Sequence, residues 1–444
     1  MEHATQASRV LMGDSLGFHI IFVLFGLTLP ILVSWFELMG IRRKDPQLTK
    51  IAKFWSKIMA LLVITGVISG TIIALQMSLV WPGILKFGGE VIGLPFMFET
   101  YAFLVEAVFL GIYMVTWSNK RVTPMLHWLL GLGIIAGSTA SAYAITSVNA
   151  WMNLPTGFDI VAGKFANIDV WRAMFSETSL VEFVHSMPGY YLSAALAIAG
   201  IYAFKIYRTK RGDRLGGHHK NDWLIIQKLM IFASIMFIAT IITADITGKY
   251  LARHEPAKLA TIEMVDETAG NVPFVFGGLE TDDGRIVGPY IKIPDALSLL
   301  AGGSADSKVT GLQDIPKNEH PPGAIRVLFN IKLTLIIGLT VLLAAYFALK
   351  YIHPKWLASR PSLLILGLGG FAGIVIVEFG WMITEIGRQP WAVRGYVTTA
   401  QAITHTHDIT RFGYFFPLAY VVLFAVTLLG IRKIVRDNAV ERRS

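Results

Sequence analysis

The sequence predicts an all-α polytopic membrane protein of about nine transmembrane helices. Of the 444 residues, 54% are hydrophobic and only 16% are charged, and the mean hydropathy is +0.56. This composition leaves too little polar surface for a water-soluble fold, so the bilayer must be the solvent of most of the chain. The apolar residues are gathered in nine runs, and a helix needs about 20 such residues to cross a bilayer.

The nine runs set the organisation of the chain. They lie at residues 17–38, 54–76, 94–117, 125–148, 183–206, 226–246, 326–349, 362–386 and 412–433. One long hydrophilic segment, residues 247–325, separates the sixth run from the seventh. The polar residues before the first run do not resemble a cleaved signal peptide. We therefore expect one transmembrane domain over residues 1–444, with an insertion at 247–325 between helices 6 and 7.

The basic residues predict the orientation of the chain. They concentrate in every second loop and in the carboxyl-terminal tail: Arg42, Arg43, Lys44, Lys50, Lys53; Lys120, Arg121; Lys205, Arg208, Lys210, Arg211, Arg214; Lys350, Lys355, Arg360; Arg432, Lys433, Arg436, Arg442 and Arg443. Because cytoplasmic loops carry the excess of Lys and Arg, the amino terminus is expected outside and the carboxyl terminus in the cytoplasm of a bacterial or archaeal cell. The net charge of +9 is spread between apolar runs, so no nucleic-acid partner is expected.

The chain contains no cysteine. This excludes disulfides, thiolate metal sites, iron–sulfur clusters and covalent haem attachment through Cys-x-x-Cys-His. Any metal must therefore be held by His, Met, Glu, Asp or Lys.

Five ligand-type residues fall inside the apolar runs at similar depth. His19, Glu99 and His185 lie near the outer ends of the first, third and fifth helices, and Glu378 and Glu385 occupy the last two turns of the eighth. An ionisable side chain inside a span is costly and is by default a functional candidate. Any one of them could be structural, but their common depth predicts a site in the outer leaflet.

Glu106 lies seven residues after Glu99 on the third helix. At 3.6 residues per turn it is on the same face and about 10 Å closer to the cytoplasm. Its position predicts an intermediate proton carrier between the cytoplasm and the outer-leaflet site.

Two outer segments carry further signals. Arg388, in the sequence GRQPW after Glu385, is a permanent cation suited to a propionate or another carboxylate. The segment HEPAKLATIE places Lys258 five residues before Glu263, a cation and a base that could bracket a quinol hydroxyl. Each segment could also be ordinary surface.

These motifs together resemble subunit I of the cytochrome bd quinol oxidases. GWMITEIGRQPW resembles the family signature GW-x-x-x-E-x-GRQPW, and SRVLMGDSLGFHIIF, SAYAITSVNAWMNLP, FVHSMPGYY and KLATIE are similar to other family segments in the same order. The match runs from Arg9 to about Trp391 and resembles the subfamily with the shorter quinol loop. It implies the large subunit of a terminal oxidase that oxidises quinol outside, reduces O2 to water and takes up cytoplasmic protons.

The resemblance also implies cofactors and their ligands. It implies two haems b and a third haem of type d or b. By resemblance, His185 ligates the low-spin haem, whereas His19 and Glu385 ligate high-spin haems, near Glu99. Trp381 relays electrons between haems and Arg388 contacts propionates. Arg9, Glu378 and Trp391 complete the expected cofactor-binding set.

Further roles and partners follow from the same resemblance. Lys258 and Glu263 match the quinol-loop pair, and Ser141 matches a serine of the proton path that includes Glu106. The expected partners are a second membrane subunit of similar size, a small single-span subunit in some members, quinol, O2 and membrane lipid.

The sequence departs from the family at the low-spin haem. The family's second ligand is a Met in a Phe-x-Ile-Met pattern, but this chain has Phe329-Asn330-Ile331-Lys332. A neutral Lys332 amine could ligate the iron, Met187 could replace it, or the haem could be five-coordinate or absent. In the first helix, Leu11 and Met12 replace the polar pair that the family carries.

Two other function classes fit parts of the sequence. One is a haem-containing, quinol-linked electron-transfer paralogue without oxygen reduction, although Lys258 and Glu263 argue for retained quinol binding. The other is a transporter, but transporters place their sites near the bilayer midplane. The ionisable residues here lie toward one face.

Overall fold

The computed structural model describes residues 2–280, 286–404 and 409–441. Within these ranges nine helices are long and apolar enough to cross a membrane, which confirms the predicted all-α polytopic architecture. The chain forms two compact units, residues 1–179 with 399–444 (the first unit) and residues 180–398 (the second unit). The expectation of one domain over residues 1–444 stays a prediction. Arg442 and Arg443 lie outside the described residues.

Long helices make up most of the chain, and short helices lie between them. The helices are α1 (Glu2–Arg43), α2 (Pro46–Leu79), α3 (Pro82–Thr116), α4 (Pro124–Asn153), α5 (Val170–Met174), α6 (Glu177–Tyr207), α7 (Lys220–His254), α8 (Pro256–Glu263), α9 (Ala296–Gly302), α10 (Ala324–Ile352), α11 (Pro354–Leu357), α12 (Arg360–Gly387), α13 (Thr399–Ala402) and α14 (Ile409–Glu441). The spans are α1–α4, α6, α7, α10, α12 and α14.

Three antiparallel hairpins lie in the connections between the spans. They are β1 (Asp159–Val161) with β2 (Lys164–Ala166), β3 (Phe274–Glu280) with β4 (Ile286–Ile293), and β5 (Trp391–Val393) with β6 (Val397–Thr398).

The helices extend beyond the predicted apolar runs. α7 continues to His254, past residue 247, where the hydrophilic insertion is predicted to start; the bounds of the insertion stay a prediction. Glu255 precedes Pro256, and the residue before a proline is disfavoured in the α conformation. The run of apolar residues marks only the part of a helix that suits hydrocarbon, so it underestimates the helix length.

Side-chain caps fix where several spans begin. Asp45, Thr123 and Ser359 each accept a hydrogen bond from a backbone N–H in the first turn of α2, α4 and α12. A proline follows each cap at the first or second helical position, where its missing N–H costs nothing. The local sequence therefore determines where these three helices start.

In the first unit, glycines bring α4 close to α3. A Cβ on Gly137 would lie 2.7 Å from the backbone N of Glu106 and 3.0 Å from the carbonyl O of Ala102. One turn and a half away, Gly131 faces the ring of Tyr113. Small residues allow helix backbones to approach inside a membrane. Glu106 is thereby held at a close helix crossing.

In the second unit, glycines of α12 pack against α6. A Cβ on Gly370 would lie 2.6 Å from the Cα of Ala197, and Ser193 Oγ donates a hydrogen bond of 2.8 Å to the carbonyl O of Gly373. The helix that carries His185 and the helix that carries Trp381 are therefore fixed to each other.

The insertion has an apolar core of its own. The core is formed by Leu259, Ala260, Ile262, Val265, Leu297, Ala301, Val309, Ile325 and Ile383. Four of these lie in or just after α8, Ile325 begins α10, and Ile383 lies on α12. Burying this apolar surface holds α8 against the ends of two spans.

The α3–α4 crossing gives a stability prediction. We expect Gly137→Ala to destabilise the protein by about 1–3 kcal/mol, because the added methyl meets backbone atoms that cannot rotate away. A thermal unfolding midpoint below that of the wild type would show this. Gly111→Ala on α3 is the matched control, since a Cβ there meets nothing within 4 Å. An unchanged midpoint for Gly137→Ala would contradict the close crossing.

Candidate functional site

His185 is oriented by a hydroxyl of the neighbouring span. Its Nδ1 lies 3.2 Å from Oγ1 of Thr243 on α7, and Thr243 donates its own proton to the carbonyl O of Ala239 at 2.9 Å. Thr243 can therefore only accept from the ring, so Nδ1 carries the proton. The lone pair of Nε2 is left available, as it is in metal-binding histidines whose other ring nitrogen donates to a fixed acceptor.

His19 shows the same arrangement in the first unit. Its Nδ1 lies 2.8 Å from Oγ of Ser69 on α2, and Ser69 donates to the carbonyl O of Gly66 at 3.0 Å. A Cβ on Gly70 would lie 3.1 Å from the imidazole ring, so a residue without a side chain makes room for it. His19 thus also keeps a free Nε2 lone pair.

Lys332 lies beside the α12 segment that carries Trp381. Its Nζ is 3.2 Å from the position a Cβ would take on Gly380, and it is close enough to His185 to act on it electrostatically. Met187 lies two residues after His185 on the same helix, about 200° around it, so both cannot face one iron from opposite sides. The Met187 sulfur instead accepts a bond from Tyr191. Lys332 therefore remains the candidate second ligand, and this role stays a prediction.

A tryptophan and a tyrosine join α12 to α6 near His185. Trp381 Nε1 donates a hydrogen bond of 2.6 Å to the hydroxyl of Tyr190, which lies five residues after His185. Glu378 lies three residues before Trp381, and its buried Oε1 has no hydrogen-bond partner among the described residues. This carboxyl can accept a bond from a molecule bound beside α12.

Arg388 forms an ion pair with Glu385 and keeps unused donors. The guanidinium is buried, and its Nε and Nη1 have no hydrogen-bond partner in the part of the chain that the structure describes. Unmet buried donors are costly and suit an anion that can accept from several nitrogens.

A small cavity of about 20 Å³ lies between the insertion and the end of α12. It is lined by Glu255, Ala257, Lys258, Glu319, Pro321, Gly387, Arg388, Gln389, Trp391 and Arg394. Lys258 packs its side chain against Gly387, where a Cβ would lie 3.0 Å from Cε. Two predicted motifs that are 130 residues apart, around Lys258 and Arg388, therefore meet at one cavity.

Glu255 and Arg394 are parts of this site that the sequence analysis missed. Glu255 is buried and forms ion pairs with Lys258 and, at 3.6 Å, with Arg394. The Nη1 of Arg394 also donates to the carbonyl O of His254. Only the position of Glu255 three residues before Lys258 hinted at the pair, because i and i+3 side chains meet on a helix.

Glu263 ends α8 and faces a different partner. Its Oε2 lies 4.0 Å from Nη1 of Arg326, and Arg326 also donates to the carbonyl groups of Ile262, Val275 and Gly277. Burial raises the pKa of Glu263 to about 8, against the opposing effect of Arg326. Five residues on a helix turn by about 140°, so Lys258 and Glu263 leave α8 in different directions.

The remaining predicted residues lie in the first unit or on the cavity wall. Glu106 and Ser141 are both buried, on the facing sides of α3 and α4. Glu99 is half-buried on α3, Arg9 is exposed on α1, and Trp391 lines the cavity. The ligand and substrate roles of all these residues stay predictions.

The orienting hydroxyls could not be found from sequence. Ser69 and Thr243 are each one of several hydroxyl residues within their apolar runs, where many Ser and Thr bond only to their own helix. Arg326, the partner of Glu263, was also missed by the sequence analysis. The signal that could have identified it is a charged residue at the start of the seventh apolar run.

The comparisons with known proteins all indicate the same family. The model of the family described as cytochrome bd terminal oxidase subunit I matches residues 7–439. A putative cytochrome bd menaquinol oxidase subunit I of Bacillus subtilis is 32% identical over 438 residues, 98% of this chain and 97% of that protein. A cytochrome bd ubiquinol oxidase subunit 1 of the same organism is 27% identical, over 89% of this chain and 85% of that protein.

The fold is similar to that of a solved oxidase. The structure of bd oxidase from Geobacillus thermodenitrificans matches with a TM-score of 0.91 and 34% identity, over 98% of this chain and 99% of that chain.

The hydroxyl that orients His185 can be tested directly. We expect Thr243→Val to weaken haem retention about 10- to 100-fold, because the ring loses the acceptor that fixes its tautomer and angle. Haem per polypeptide, measured after dilution and washing, reports the effect. Thr243→Ser keeps the hydroxyl and should retain haem like the wild type. Equal retention by the Val and Ser variants would contradict this role.

Proposed function

Because the chain belongs to the cytochrome bd terminal oxidase subunit I family, we propose that it oxidises quinol and reduces O2 to water as the large subunit of a membrane oxidase. Membership makes it a transmembrane oxidoreductase of the respiratory chain and implies haem. The observation that carries the finer proposal is the cavity that Lys258 and Arg388 share. It supports a quinol site next to a site for a cofactor propionate.

The residues present fit a bound haem. His19 and His185 each keep a free Nε2, Arg388 keeps two buried donors, and Glu378 keeps a buried acceptor. We assign His185 with Lys332 to one iron, and His19, Glu99 and Glu385 to two further irons. Arg388 would hold propionates, and Arg9 and Trp391 are assigned the same role. When bound, haem supplies one-electron redox chemistry and an iron that can take O2.

At the cavity, Lys258 would orient one quinol hydroxyl. Glu263, on another side of α8, would accept a proton. Each quinol releases two electrons and two protons as it becomes quinone, and two quinols supply the four electrons that reduce one O2 to two waters. A carboxylate whose pKa is about 8 is a suitable base near neutral pH. The two Bacillus relatives are named for different quinols, menaquinol and ubiquinol, so the proposal names no ring class.

Protons for water formation would come from the opposite side. Glu106 and Ser141 would pass them between α3 and α4 toward Glu99, from the end that the basic loops mark as cytoplasmic. Trp381, hydrogen-bonded to Tyr190, would connect the haem sites electronically. The four protons are drawn from inside and the quinol protons leave outside, so charge is separated without a pump.

The proposed assembly follows the family. Subunit I of cytochrome bd oxidases normally pairs with subunit II. We propose that partner here, with a small single-span subunit as a further candidate, in the cytoplasmic membrane of a bacterium with the amino terminus outside. The third haem, of type d or b, accompanies two haems b.

The lysine at position 332 favours one alternative function. An amine in place of the family's thioether could serve a quinol-linked electron-transfer paralogue without oxygen reduction. Both functions include haem and quinol, but only the oxidase consumes O2.

The test is a haem spectrum and a quinol-driven O2 assay on the purified oxidase complex. We expect O2 consumption whose rate rises with pH through about 8, as Glu263 becomes a carboxylate. Glu263→Gln should lower the rate about 10²–10⁴-fold and remove that rise. Glu267→Gln, at an exposed position nearby, is the control. A colourless protein, or one reduced by quinol without consuming O2, would contradict the oxidase.

Lys332→Met tests the second ligand. The amine is the stronger σ-donor and favours ferric iron, so the thioether should raise the midpoint potential of the haem at His185. A redox titration followed at the low-spin absorption bands measures the shift. If Lys332→Met leaves both spectrum and potential unchanged, Lys332 does not ligate this iron.

A further inference from the structure

A second group of buried titratable residues lies in the first unit, away from the haem ligands. Glu37 on α1, Tyr113 on α3 and His127 on α4 are each at most 5% exposed. Tyr113 donates its hydroxyl to Glu37 Oε2 at 2.6 Å, and His127 Nδ1 lies 2.6 Å from Glu37 Oε1. The ring of His127 packs against Tyr113 and Trp117 at 4.2 and 4.3 Å between centroids.

The hydrogen bonds determine how many protons this cluster holds. His127 Nε2 lies 3.0 Å from the carbonyl O of Tyr113, which can only accept, so Nε2 carries a proton. The Tyr113 proton is already directed at Oε2 of Glu37. The short bond between Nδ1 and Oε1 then needs one more proton, on either atom. Without it, two lone pairs would face each other at 2.6 Å.

This extra proton makes the cluster neutral. With it, the pair is either imidazolium and carboxylate or imidazole and carboxylic acid, and the sum of charges is zero in both cases. Releasing the proton leaves one negative charge in a buried site, which a low dielectric disfavours.

The cluster lies where such a proton can enter. Glu37 is six residues before Arg43, which ends α1, and His127 lies in the first turn of α4, next to the exposed connection at residues 118–123. This is the end that the basic loops assign to the cytoplasm. Trp117 covers the ring of His127 on that side.

The cluster also shares two helix faces with the proposed proton path. Tyr113 follows Glu106 by seven residues on the buried face of α3, about 10 Å along the axis. On α4, the buried residues His127, Ser138 and Ser141 repeat at nearly whole helical turns. Leu110 and Ile134 are buried between the two levels, so a proton transfer across that stretch would need water.

We propose that Glu37 and His127 form the proton-loading site at the cytoplasmic entrance of the path to Glu106, with Tyr113 positioning Glu37. The inference rests on the proposed oxidase function. The proton shared by Nδ1 and Oε1 moves to water and on to the carboxylate of Glu106, and a cytoplasmic proton then restores the pair.

Glu37→Gln removes the shared proton while keeping the bonds. The amide N–H of glutamine can donate to a neutral His127, and its carbonyl can accept from Tyr113. In the intact oxidase complex we expect unchanged haem spectra and an unchanged rate of haem reduction by quinol without O2. Quinol-driven O2 turnover should fall about 10- to 100-fold.

Three comparisons sharpen the test. Met125→Leu, at an exposed position in the first turn of α4, is the control and should turn over like the wild type. Glu106→Gln should show the same selective loss. The double variant Glu37→Gln with Glu106→Gln should be no slower than the slower single variant, because both act on one path.

The possible results distinguish a failure of the proton-loading site from a failure of the proposed oxidase function. A wild type that consumes no O2 overturns both. Slow turnover of Glu106→Gln with normal turnover of Glu37→Gln overturns the loading site alone. Loss of haem, or slowed haem reduction, in Glu37→Gln also overturns it, since the cluster would then be a structural support.

Discussion

A polar group in an apolar interior must find a fixed partner, and in this chain the partner is usually a hydroxyl or carboxyl on the next helix. His19 and His185 lie in different units but follow one rule. Each ring nitrogen Nδ1 faces a hydroxyl that has already given its proton to its own helix. The direction of that one bond decides which nitrogen keeps a lone pair. In the proposed function, that other nitrogen would bind the haem iron.

The same constraint applies to the cluster of Glu37, Tyr113 and His127. There the ring nitrogens of His127 face a carbonyl and a carboxyl instead of a hydroxyl. Both nitrogens are occupied, so the ring cannot ligate a metal and holds a proton instead. Two kinds of buried histidine, suited to iron and to protons, thus differ by the acceptor placed beside Nδ1.

The insertion places charged side chains at the ends of spans in the second unit. Its apolar core anchors α8 on α10 and α12, which lets Lys258 pack on Gly387 beside Arg388. Glu255 and Arg394 balance the charge around Lys258, whereas Glu263 is directed toward Arg326. In the proposed function, substrate orientation and proton acceptance are therefore divided between two sides of one short helix.

The sequence by itself determined the nine spans, because apolar runs of membrane length can fold only as helices in lipid. It also determined the motifs around His19, His185, Lys258 and Glu385. It did not determine the end of α7, since hydropathy does not mark where a helix ends. Only the tertiary structure decided which atoms meet: Thr243 with His185, Lys258 with Gly387, and Glu37 with His127. These contacts join distant segments through helix crossings, and crossing geometry depends on packing across the whole unit instead of on local pattern.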